Sequence, residues 1–398
     1  MEKGQKYGFA TRQVHAGTLE DSFGALTAPI YQTSTFRFPT VEQGGARFAG
    51  EEKGFIYTRL GNPTQQALEE KIASLENGEA ALALGSGMGA ITTAIWSAID
   101  GESEILADET LYGCTFAYFT HGLTKFGVKV TLIDMTNPEN LKAHLNPNVK
   151  VVYFESPCNP TLKVLDIAEI SRITHEYNAD IKVMVDNTFC SPYIQRPLDL
   201  GADVSLHSAT KYLNGHGDVI AGIIIGKKDF IDNCRMFGLK DMTGAVIGPF
   251  DAFLLMRGIK TLDIRMEKHC ENAKQIAEFL ASHPAIKKVH YPGFEDFPDH
   301  AVAKKQMHLF GGMVAIETYK NRAETAAAIN NLKLATIAVS LGDCETLVEH
   351  PATMTHSVYT SEELEAANIP EGLVRISVGL EDAGDLIADL KQVFDRLI

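Results

Sequence analysis

The hydrophobic pattern alternates between two periods along most of the chain. Residues 66–75 place Ala67, Leu68, Ile72 and Leu75 at helical spacing, and 80–84 is a short apolar run of the kind a buried strand makes. A helix with Ile91, Ile95 and Ile99 on one face follows. Strand-like runs at 128–133, 151–154 and 181–185 then alternate with helical stretches at 138–145 and 167–177, and two more apolar runs lie at 204–206 and 219–225. Strands that are apolar throughout and separated by helices predict a mostly parallel sheet covered on both faces. After about residue 260 the pattern changes. A long amphipathic helix carries Leu262, Met266, Cys270, Ala273, Ile276, Ala277 and Leu280, and Pro284 closes it. Runs at 312–317 and 373–378, with a final helix over 386–397, predict a smaller α/β domain. The first 60 or so residues are rich in Gly, Thr, Pro and aromatics and have too little apolar period to fold alone. They are expected to form an arm (1–61) that drapes over a neighbouring subunit, ahead of a large domain (62–260) and a C-terminal domain (261–398).

At 398 residues the chain is too long for one small core, which agrees with that division. Its net charge of −15 argues against nucleic acid or an anionic membrane as partner. The beginning MEKGQKYGFATRQ lacks the apolar core of a signal peptide, and no run of about eighteen apolar residues occurs. The six cysteines form no C-x-x-C pair and fit neither a zinc site nor a disulfide framework. Reduced thiols in a cytoplasmic enzyme, with no metal, are the expectation.

Candidate chemistry concentrates at a few positions. Lys211, in Ser208-Ala209-Thr210-Lys211, lies between two strand-like runs, which suits an amine that must lose its proton and act as a nucleophile. Asp186 ends the run 181–185; ligands of open α/β sheets bind outside the carboxyl ends of strands, so this carboxylate could hold a pyridine nitrogen protonated. Alone, either residue could be ordinary: a surface lysine, a turn aspartate. Gly85-Ser86-Gly87-Met88-Gly89 follows a strand and opens a helix, where backbone N–H groups can close around an anion, although such a turn can also be purely structural. It misses the dinucleotide fingerprint and lacks the Lys-Ser/Thr of a P-loop; with hydroxyls from Ser208 and Thr210, a single phosphate monoester fits better. Tyr112 could stack on a planar cofactor and serve as acid or base, or be a core tyrosine. Arg375 stands among strand residues, where a guanidinium needs a carboxylate partner, structural or from a substrate.

In their order, Tyr57-Thr58-Arg59-Leu60-Gly61-Asn62-Pro63-Thr64, Ser86-Gly87-Met88-Gly89-Ala90, Val185-Asp186-Asn187-Thr188, Ser208-Ala209-Thr210-Lys211-Tyr212 and Ser340-Leu341-Gly342 resemble the Cys/Met-metabolism (trans-sulfuration) family of fold-type I pyridoxal-phosphate enzymes, over essentially the whole chain. The resemblance implies a large domain with a mostly parallel seven-stranded sheet, a smaller C-terminal α/β domain and an extended N-terminal arm. It implies pyridoxal 5'-phosphate as cofactor, Lys211 as the Schiff-base lysine and Asp186 as partner of the pyridine nitrogen. Ser86, Gly87, Met88, Ser208 and Thr210 would hold the phosphate, with Tyr57 and Arg59 reaching in from an adjacent subunit of a homotetramer built as a dimer of dimers. Tyr112 would stack on the ring and protonate the leaving group, while Asn159, Ser340 and Arg375 orient an amino-acid substrate. Cys114, Lys240-Asp241 and Val339 resemble the branch that cleaves methionine. Val339 is apolar where cystathionine γ-lyases typically carry an acidic side chain, and an unpaired ammonium there would carry a desolvation cost. The expected reaction is α,γ-elimination of L-methionine, with Cys114 tuning Tyr112; cystathionine cleavage and O-acetylhomoserine sulfhydrylation are the alternatives.

Overall fold

Strands β1 (Ala80–Leu84), β2 (Glu104–Asp108), β3 (Lys129–Ile133), β4 (Val149–Glu155), β5 (Lys182–Asp186), β6 (Val204–Ser208) and β7 (Gly222–Gly226) form one sheet. Its order is β1-β7-β6-β5-β4-β2-β3, and every pairing is parallel except the two that β7 makes. The computed structural model describes residues 7–19, 21–357, 360–366 and 369–398. Central strands such as β4 and β5 are buried almost throughout, because helices cover both faces. A second sheet has five strands, β8 (Ile286–His290), β9 (Met313–Thr318), β10 (Thr336–Ile337), β11 (Leu347–Glu349) and β12 (Leu373–Ser377), in the order β10-β11-β12-β9-β8.

Helix starts are set by local caps. The helix Pro63–Leu75 begins three residues before the apolar period does, since Asn62 accepts from Thr64 N and Pro63 supplies a fixed φ at the first position. The helix Gly87–Ala98 starts where Ser86 Oγ accepts from Gly89 N at 2.9 Å. The long helix Leu262–Ala281 lies between the two halves: Leu262, Met266 and Cys270 join the core under the large sheet, while Ala273, Ile276 and Leu280 join that of the small sheet.

Two readings from periodicity are corrected, and one segment takes a form that no periodicity announced. The run 219–225 becomes a strand only from Gly222, because Ala221 is engaged by the Thr210 hydroxyl instead of a strand partner. Residues Cys234–Thr243 form a π-helical segment, which a period of 3.6 does not reveal. Finally, the arm is not wholly irregular: Phe9–His15 and Val41–Phe48 are short helices, the second capped by Thr40. Residues 1–6 and Glu20 of the expected arm lie outside the described residues.

Candidate active site

The carboxyl ends of β4, β5 and β6 and the β11–β12 edge of the small sheet carry most of the candidate residues. Lys211 sits in the turn after β6, its N–H bonded to Ser208 O. Its Nζ donates to Ser340 Oγ at 3.0 Å, which ties the turn to the segment before β11. Burial pushes this amine down from the usual lysine range, Arg375 adds to the effect, and Asp343 and Glu349 oppose it. An amine so placed is easier to free of its proton than one in water.

Asp186 ends β5. Its Oδ1 accepts from Thr188 N at 3.0 Å and from Thr188 Oγ1 at 2.5 Å. Burial raises the carboxyl, while the Thr188 bonds and the charge of nearby His207 pull it down. No lysine or arginine pairs with it among the described residues, so a cation brought from outside would meet no competing lysine or arginine.

At the start of the helix Gly87–Ala98 the first N–H groups have no intrahelical acceptor. A Cβ at Gly87 would come within 2.8 Å of Ser208 Cβ, so the space between helix start and Ser208 exists only because residue 87 has no side chain. Ser86 is committed as the helix cap, and Thr210 Oγ1 to Ala221. Met88 Sδ lies 3.9 Å from Thr115 Oγ1. A narrow anion cradle beside an unmatched carboxylate and a half-buried lysine fits a phosphorylated, protonated pyridine carrying an aldehyde.

Tyr112 is 46% exposed, with its ring open to a planar neighbour. Cys114 Sγ donates to its Oη at 3.4 Å. Contact with Cys114, then burial and the charges of Glu155 and Glu349, push the phenol up to about 12. It therefore keeps its proton at neutral pH, as an acid must.

Arg375 is 4% exposed in mid-strand. Its Nη1 donates to Asn159 Oδ1 at 2.8 Å, and its Nη2 to the carbonyls of Val339 and Ser340 at 3.1 Å each. Glu349, its register partner on β11, forms an ion pair at 2.5 Å. Val339 is 58% exposed beside it.

Two groups of candidates stand apart in the single chain. Arg59 Nη1 donates to Lys240 O at 2.5 Å, and its guanidinium lies 5.9 Å from the centre of the Tyr57 ring. Neither Tyr57 nor Arg59 is hydrogen-bonded to Lys211, Asp186 or Ser208 here. Lys240 and Asp241 pair with each other at 3.0 Å on the π-helical segment. Glu155, Thr188, Asp343 and Glu349 were not singled out by sequence. Glu155 could have been, since it ends an apolar run just as Asp186 does; Glu349 ends a run of only two apolar residues, too short to register.

The family described as Cys/Met metabolism PLP-dependent enzyme matches residues 10–395. The chain belongs to this family. It is 59% identical over 394 residues to the L-methionine gamma-lyase of Treponema denticola, covering 99% of this chain and 98% of that relative. It is 45% identical over 387 residues to the cystathionine beta-lyase of Lactococcus lactis subsp. cremoris, covering 97% and 98%. The solved structure of metB from Corynebacterium glutamicum matches with a TM-score of 0.91 at 39% identity, covering 98% of this chain and 99% of that one. The chain is thus a pyridoxal-phosphate enzyme with the fold-type I α/β architecture, as the sequence blocks implied. No described helix is long and apolar enough to cross a membrane.

Proposed function

We propose that the enzyme cleaves L-methionine by α,γ-elimination, consuming water and releasing methanethiol, 2-oxobutanoate and ammonia. The observation that carries this reading is the 59% full-length identity to an L-methionine gamma-lyase. The side-chain end of the site agrees with it, because an apolar Val339 beside Ser340 suits a thioether methyl better than the distal ammonium of cystathionine.

Pyridoxal phosphate, when bound, supplies an electron sink for charge that develops on the substrate's carbons. Lys211 would hold it covalently, Asp186 its ring nitrogen, and Ser86, Gly87, Met88, Ser208 and Thr210 its phosphate. Arg375, oriented by Asn159, takes the substrate α-carboxylate, and Ser340 steers the Lys211 amine. Once free, Lys211 Nζ takes the proton from substrate Cα and moves protons at Cβ. Tyr112 Oη, its proton held firmly, donates to the departing sulfur, with Cys114, Lys240 and Asp241 shaping that end. We assign residues 1–61 to an arm, 62–260 to the large domain and 261–398 to the C-terminal domain. The arm exposes Phe23 and Leu26 almost completely, which supports its covering an adjacent subunit and bringing Tyr57 and Arg59 to that subunit's site in a cytoplasmic homotetramer.

The test supplies methionine as sole substrate and measures methanethiol and 2-oxobutanoate together. Equimolar release is expected, with kcat/KM above that for cystathionine or for O-acetylhomoserine plus sulfide. Turnover of either of those with methionine left intact would replace the proposal.

A further inference from the structure

Glu155 is buried (5% exposed) at the end of β4, and its register partner across the parallel pairing is Asp186. Register partners on parallel strands leave the sheet on the same face, with their strands about 4.8 Å apart. Two carboxyls therefore stand side by side at the rim where the cofactor is held. Glu155 Oε1 accepts from Tyr112 N at 2.7 Å, and the Asn159 backbone acts on the same carboxyl. One side chain thus anchors the turn that carries the proposed acid, and it stands four residues before the amide oriented on Arg375.

We infer that Glu155 is a positioning residue for the reaction, holding the Tyr112 backbone in register with Asp186. The inference rests on the role proposed above for Tyr112. Burial and the neighbouring Asp186 raise the Glu155 carboxyl, Asp108 adds to this, and the Tyr112 and Asn159 backbones oppose it. Around the pair, the buried Tyr153 phenol and His207 both act on Asp186, Cys158 is a buried thiol, and Lys163 is paired with Asp108 at 2.8 Å. No lysine or arginine is matched to Glu155 among the described residues. Its 2.7 Å bond from Tyr112 N and its register beside Asp186 make its duty geometric.

The test compares the holoenzymes of Glu155→Gln and Glu155→Ala with the unchanged protein. Glutamine has the same reach and no charge; it is expected to keep kcat within about threefold and to leave amide hydrogen exchange at Tyr112 unchanged. Alanine removes the acceptor; exchange at Tyr112 is expected to quicken roughly tenfold or more, the change a lost hydrogen bond of about 1.4 kcal/mol produces. Its kcat is expected to fall by about 10²-fold with a smaller change in KM, as displaced catalytic groups produce. Unchanged exchange in Glu155→Ala, or a glutamine variant as damaged as the alanine one, would overturn the inference. If alanine prevents folding, the glutamine kinetics and exchange still decide. The exchange measurement needs no methionine, so a failure of the substrate assignment leaves this result standing by itself.

Discussion

The two sides of the site handle buried charge in opposite ways. On the large-sheet side, Asp186 and Glu155 lie next to each other with no lysine or arginine between them, and burial raises both. On the small-sheet side, Arg375 is as deeply buried but is matched by Glu349 at 2.5 Å and by three further oxygen acceptors. A resident group that stays bound can complete an unmatched site, because its charge is present throughout the working life of the enzyme. A substrate that comes and goes cannot, so its anchor needs a partner that keeps it stable between turnovers. The two sides meet at the bond from Lys211 Nζ to Ser340 Oγ.

Removing that meeting point is expected to have the largest effect. Lys211→Ala takes away the side chain proposed as both covalent anchor and proton carrier, and each proton transfer by a placed group is worth about 10²–10⁴-fold. Methanethiol release should fall by at least about 10⁴-fold, and the visible band of the bound cofactor should change or vanish. Full turnover in this variant would end the assignment of Lys211.

The contrast in charge matching is tested by a smaller but more pointed change. Arg375→Ala leaves Glu349 buried without its partner, which typically costs about 3–5 kcal/mol. Thermal unfolding should drop sharply in the single variant and largely recover in Arg375→Ala with Glu349→Ala, while activity on methionine stays low in both. If the double variant is no more stable than the single one, the pair is not what steadies the small-sheet side.

The same contrast explains how much could be read in advance. The large-sheet side is built from strand ends and the turns after them, where a carboxylate after an apolar run or glycines before a helix interrupt the pattern visibly. Asp186, Gly87, Ser208 and Lys211 were therefore legible. Arg375 was legible as an oddity inside an apolar run, but its partner Glu349 was not, because pairing between β11 and β12 joins residues far apart in sequence. Within one chain Arg59 bonds Lys240 and not Lys211, so the proposed place of Tyr57 and Arg59 at that site needs a second chain, a distance no pattern within one chain encodes. Glu155 obeyed the same rule that exposed Asp186 and was passed over; its meaning came only from the strand pairing that set the two side by side.

The smallest expected effect concerns Tyr112, whose proposed acid role depends on keeping its proton. Its phenol stands at about 12, with the contact to Cys114 the largest cause. That contact, by hydrogen bond and by charge, resists the appearance of a negative charge on Oη. Cys114→Ala removes that resistance, so the phenol should titrate closer to its ordinary value of about 10. The sign follows directly: the acid form is needed, so the alkaline fall in kcat should begin at lower pH in the variant. At neutral pH both forms of the enzyme keep the proton, and the loss of rate should stay under about tenfold, far below the effect of removing Lys211. A kcat profile across the alkaline range separates the cases, since an alkaline limb that does not move would mean that Cys114 shapes the pocket without touching the acid.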